Sequence, residues 1–155
     1  MIGKVKNFLG IESVKIKLEV PEVIPYDIDF LTGKIILSSK TTQKVNSITI
    51  KLIERYVRGR GHNKLINEYV AGIVQFDKPF KIHAGEEVAF QFEMPVKIQL
   101  SEMDKLGDKN LLIKGFVKLA KLFSNVKSEF RIEATAKVAG SAIPPLTKRN
   151  IKVKF

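Results

Sequence analysis

The chain reads as an all-β protein: a two-sheet antiparallel β-sandwich with one inserted amphipathic helix. Three observations predict this. Apolar and polar residues alternate with period two through most of the 155 residues. Gly, Pro and Asn punctuate the alternation at short intervals, as expected of turns between short strands. One segment, about residues 108–123, switches to helical spacing. The length suits a single domain over 1–155, large enough to bury a core without disulfides.

Val14, Ile16, Leu18 and Val20 alternate with Lys15, Lys17 and Glu19, the pattern of a half-buried strand. Pro21 and Pro25 bracket the next segment, and Gly33 reopens a strand through Ile35 and Leu37. Ser38 to Gln43 is polar turn material. After Val45, Ile48, Ile50, Leu52 and Tyr56 are set against Thr49, Lys51 and Glu54 in a long run. Gly59, Gly61, His62 and Asn63 make a polar loop, and Tyr69 to Phe76 reads as the following strand. Phe80 and Ile82 lead to a turn at Ala84-Gly85-Glu86-Glu87. Val88, Phe90 and Phe92 then share one face until Pro95 ends the strand. Phe130, Ile132, Ala134, Ala136 and Val138 alternate with Arg131, Glu133, Thr135 and Lys137, and Ile151, Val153 and Phe155 repeat the pattern. Eight or so strands of this kind, each with one wet face, pack most economically as two antiparallel sheets.

The helix is predicted from its ends and its stripe. Ser101-Glu102-Met103-Asp104 resembles a capping box, and Asp108 offers a second N-cap. Leu112, Phe116, Leu119 and Phe123 share a narrow arc. Lys114, Lys118 and Lys121 lie about 180–240° round from Leu112, on the opposite side. Gly115 costs such a helix about 1 kcal/mol relative to Ala.

Charge is the unusual quantity. Lysine and arginine total 27 against 16 acids, a net +11. Residues 1–108 hold 16 bases and 14 acids, whereas 109–155 hold 11 bases and only Glu129 and Glu133. The excess therefore belongs to the C-terminal third and predicts a local cationic field. No apolar run is long enough to span a membrane as a helix. The N-terminal residues lack the apolar core of a signal peptide. With no cysteine, disulfides and thiolate metal sites are excluded, in keeping with a cytoplasmic protein.

Candidate sites are few. His62 and His83 stand 21 residues apart without an i, i+4 partner, so they read as loop residues and not as a metal or base pair. Glu86-Glu87 reads as a turn. No nucleophile elbow, phosphate-binding loop or dinucleotide fingerprint is present. Neither catalytic residues, metal ligands nor a cofactor are expected. Arg58, Arg60 and Lys64, in a loop freed by glycines, could clamp a phosphate or an acidic peptide, or simply be a soluble hairpin tip. The face made by Lys114, Lys118 and Lys121 could lie on an anionic membrane, or be the wet side of a helix packed on the sandwich. Specific nucleic-acid binding is not expected, because the bases are not interleaved with aromatic platforms.

Several short motifs, in order, resemble a known family. Leu9-Gly10-Ile11 precedes Val14-Lys15-Ile16-Lys17-Leu18. Gly33-Lys34-Ile35-Ile36-Leu37, Gln43-Lys44-Val45 and Ile48 through Leu52 follow. Ile82-His83-Ala84-Gly85-Glu86 leads to Phe90-Gln91-Phe92-Glu93-Met94-Pro95, and Ala142, Pro145, Ile151 and Val153 match a domain-closing motif. Together they resemble bacterial sporulation-control proteins of the arrestin-like superfamily, over nearly the whole chain. The resemblance implies an immunoglobulin-like sandwich of the arrestin type, with seven to nine strands and one helix, that acts as a non-catalytic scaffold or adaptor touching partner proteins and sometimes lipids. Members commonly carry two sandwiches in tandem, and this chain is long enough for one. It departs from the closing motif where Pro144 and Thr147 stand in place of expected acids. The expected function is a protein-interaction module whose partners, or a second copy, engage exposed sheet edges. The competing expectation is a peripheral binder of anionic membranes or polyanions through the C-terminal basic region.

Overall fold

The computed structural model describes residues 14–58, 65–98 and 126–154, the side chains at 57, 58, 65 and 126–128 excepted. The helix predicted over 108–123 lies outside the described residues. Among the described residues nine strands follow in order: β1 (Lys15–Glu19), β2 (Val23–Pro25), β3 (Phe30–Ser38), β4 (Gln43–Arg58), β5 (Leu65–Phe76), β6 (Phe80–Ile82), β7 (Glu87–Pro95), β8 (Val126–Val138) and β9 (Leu146–Lys154). They form the expected two sheets. The smaller has the order β1-β3-β7; the larger has the order β2-β9-β8-β4-β5, with β6 beside the first residues of β4.

Alternation dictates which side chains meet between the sheets. Leu18, Leu31, Ile35, Leu37, Phe92 and Met94 point inward from the smaller sheet, and all are buried. Val45, Ile48, Ile50, Leu52, Ile132, Ala134, Ala136 and Ile151 meet them from the larger. Each large aliphatic side chain buried this way contributes about 1.5–3 kcal/mol. Small alanines on β8 opposite Ile48 and Ile50 of β4 let the centre of the sheet fill without overpacking. At one end Phe90 sits between Phe76 and Phe80, stacked on the first at 6.3 Å and edge-on to the second at 5.1 Å.

The two sheets are tied at both sides. Gly72 of β5 bridges Val96, just past β7, and the Lys97 N–H donates to the Ala71 carbonyl at 2.8 Å. At the other side Arg149 of β9 donates from Nη1 to the Leu18 carbonyl of β1 at 2.9 Å. The turn into β7 is made possible by Gly85, whose φ of 78° lies in the left-handed region.

Three features differ from the sequence reading. The strand after the polar loop begins at Leu65, not Tyr69, because Leu65 to Glu68 continue the pairing with β4. The pairing of β2 with β9 is parallel, not antiparallel. After Pro21 the chain crosses to the edge of the other sheet, where Lys152 N–H donates to the Glu22 carbonyl and Tyr26 N–H to the Lys154 carbonyl. Glu54, expected on the wet face with Lys51, is buried at 1% exposure. The physical reason is parity: Glu54 lies two residues from both Leu52 and Tyr56, so it shares their inward face. Ile53 takes the outward position between Val70 and Arg131. The register slip there comes from β5, where Ala71 is the extra residue.

Candidate docking surfaces

None of the cations singled out in the sequence has a described side chain. Arg60, Lys64, Lys114, Lys118 and Lys121 lie outside the described residues, as does His62. Arg58 closes β4, and its backbone pairs with both Leu65 and Val126. The end of β4 and the starts of β5 and β8 therefore lie side by side in the larger sheet. His83 is exposed in the loop before Gly85. Among the described residues no group of three or more His, Cys, Asp or Glu side chains could hold a metal ion.

Two surfaces are built by the described residues. The first is the outward face of the larger sheet. At its centre Arg131 on β8 donates to Glu68 of β5 at 2.9 Å and to Glu133 at 2.7 Å. Lys148 of β9 reaches Glu133 at 3.7 Å, and Arg55 of β4 meets Glu129 at 3.5 Å. The Arg131 hydrogen bond is the main reason the Glu68 carboxyl titrates below its ordinary range, and Glu68 and Glu133 hold the Arg131 guanidinium even more firmly protonated than usual. This network is neutral, three bases against three acids, and it uses every acid with a described side chain on the strands of the face; Asp77, just past β5, accepts from Gln75 at 2.7 Å.

Six more lysines point outward here outside these ion pairs, Lys51 among them directly opposite Glu133 in register. Strand parity places Lys44 and Lys51 on β4, Lys81 on β6, Lys137 on β8, and Lys152 and Lys154 on β9 beside inward-facing neighbours. The described side chains on the strands of this face thus carry a net +6, with the acid Asp77 just past the end of β5. Lys44 and Lys81 stand directly opposite each other in register. Between these cations the face shows apolar side chains: Ile66, Val70 and Ile73 of β5 and Leu146 of β9 are about half exposed. The outward face of the smaller sheet is different: Lys15, Lys17 and Lys34 are balanced by Glu19, Glu87 and Glu93. A shallow depression there, lined by Thr32, Lys34, Gln91 and Glu93 among others, brings no set of reactive groups together.

The sequence reading missed this surface because three of the six lysines lie in the nearly neutral first 108 residues. Their signal was present in each strand, as a lysine between inward-facing residues. Only the sheet order adds those strands to β8 and β9.

The second surface is the edge of β5 from Leu65 to Val70, which no described residue covers. The strand has twelve residues with no lysine and no proline, and its only charge, Glu68, is tied to Arg131. The other edges are blunted. β2 is three residues long and ends in Pro25, β1 carries Lys15 and Lys17 under the reach of Arg149, and β7 carries Glu87, Glu93 and Pro95.

With this sandwich established, comparison with known proteins identifies the lineage. The family model described as SpoOM protein matches residues 3–125. The chain belongs to the Spo0M family. Among solved structures, the crystal structure of Spo0M, sporulation control protein, from Bacillus subtilis is similar at a TM-score of 0.63 and 17% identity. The match covers 92% of this chain and 49% of that one, so the chain spans about half the length of the solved Spo0M. No curated protein matches. The arrestin-like β-sandwich expected of the Spo0M family is the fold found here. Among the described residues no helix is long and apolar enough to cross a membrane.

Proposed function

We propose that the chain is a non-catalytic adaptor with a role related to sporulation, and that it engages a protein partner by strand addition at β5. Family membership supports the sporulation-related role. The observation that carries the adaptor reading is the edge of β5, which no described strand covers. From Leu65 to Val70 this edge offers backbone N–H and C=O groups that no described residue engages. An extended partner segment would pair there antiparallel or parallel, its alternate side chains falling beside Ile66 and Val70.

A photo-crosslinking residue at Asn67 tests this in sporulating cells of the source organism, with the same residue at Ala89 on the smaller sheet as the control. The expected result is one identified protein joined at Asn67 and not at Ala89. In the reconstituted complex, amide exchange then slows in β5. Protection confined to another strand, a normal spore yield after removal of the gene, or turnover of a substrate by the purified chain would each overturn the reading.

A further inference from the structure

We propose that the outward face of the larger sheet docks on an anionic lipid bilayer, independently of any partner at the β5 edge. Lys44, Lys51, Lys81, Lys137, Lys152 and Lys154 share this face, and none of them is in an ion pair with a described acid, although Lys51 stands opposite Glu133 in register. Placing Lys44 directly opposite Lys81 is unfavourable in the isolated protein, since like charges across a strand pair repel. An anionic surface outside the protein turns that cost into attraction.

The dimensions fit a surface and not a point ligand. Five strands set about 4.8 Å apart span roughly 19 Å, and the eleven steps from Lys44 to Arg55 extend about 36 Å. The charges are therefore spread over many headgroups, not focused on one phosphate. Between them Ile66, Val70, Ile73 and Leu146 are exposed aliphatic side chains able to enter the headgroup boundary while the lysines remain at its level.

Competing polyanions fit less well. No described outward residue of this sheet is aromatic, so the stacking platforms of single-strand nucleic-acid binders are lacking on it. Lysine is depleted in protein–protein interfaces, whereas here it is the dominant outward residue. The smaller sheet, neutral on its outward face, gives the sandwich one cationic side. The proposal also differs from the basic helix inferred from sequence: half of its lysines come from β4 and β6.

The test is co-sedimentation of the full chain with vesicles of phosphatidylcholine alone and of equimolar phosphatidylcholine and phosphatidylglycerol. Wild type should bind the mixed vesicles only, and less as salt is raised. Each outward lysine removed should weaken binding about fivefold. The triple variant Lys44→Gln, Lys81→Gln, Lys137→Gln should thus lose about 100-fold, and Lys152→Gln with Lys154→Gln about 25-fold. The triple variant Lys15→Gln, Lys17→Gln, Lys34→Gln removes equal charge from the other face and should stay within about threefold of wild type. Equal losses in the two triple variants, equal binding to neutral vesicles, or absence of wild-type binding would overturn the proposal. So would tighter binding to duplex DNA than to mixed vesicles, lost in the same variants.

Discussion

Gly72 is where the sandwich can be pried open with a single methyl group. A Cβ at this position would lie 2.6 Å from Met94 Sδ and 2.8 Å from the Pro95 carbonyl oxygen. The thioether can swing away, but the carbonyl belongs to the backbone that carries β7 past β5. Gly72→Ala must therefore push β7 outward at the place where Val96 and Lys97 tie the sheets together. Overpacking of this kind costs about 1–3 kcal/mol. Alanine also restricts the unfolded chain, which returns about 0.4–1 kcal/mol. A net loss of about 1–2 kcal/mol remains, and for a domain of this size it lowers the melting temperature by about 2–8 °C. The assay is thermal unfolding by circular dichroism, with amide exchange at Lys97 as the local readout. Met94→Ala costs about 2–5 kcal/mol as a cavity. Adding it to Gly72→Ala should cost less than the sum of the two, by about 0.5 kcal/mol or more, because the Sδ clash is gone. The rescue is partial, since the Pro95 oxygen remains. An unchanged or raised melting temperature for Gly72→Ala would refute the close approach of β5 and β7.

Two further predictions concern the outward network and a turn. Glu68 should titrate below its ordinary value of 4.5 in a carbon-detected NMR titration, and Arg131→Gln should raise it, since the Arg131 hydrogen bond is the largest cause of the lowering. A carboxyl with a lowered folded pKa stabilises the fold above its unfolded pKa, and that stability is lost as pH falls through the folded pKa. The acid limb of unfolding should therefore start at higher pH in Arg131→Gln, although the exposure of Glu68 keeps the effect small. Gly85→Ala should cost about 1–2 kcal/mol in urea denaturation although nothing lies within 4 Å of its Cβ, because its φ of 78° is strained for any L-side chain. A loss as large as that of Gly72→Ala at a position with open space separates backbone strain from crowding.

Much of the architecture is written in alternation. Phe130 through Val138 on β8 and Ile48 through Leu52 on β4 face inward as the period-two pattern requires, and Pro95 ends β7 where the missing N–H predicts. Glu54 shows the rule outranking residue type: its neighbours at i−2 and i+2 are core, so it is core as well. The parallel pairing of β2 with β9 was not legible, because three residues are too short for a pattern and the partner lies more than a hundred residues away. Pro21 marked the break, but nothing in it names the sheet that the chain would join.

The cationic surface divides in the same way. The charge of the chain and its surplus after residue 108 are properties of the sequence alone, and so is the outward parity of each lysine. Which strands lie side by side is settled by long-range pairing. That pairing brings Lys44 and Lys81 together, neutralises Glu68, Glu129 and Glu133 in one central network, and leaves six lysines on a single plane. A strand records on which side its charges point; only the sheet decides with which other charges they share that side.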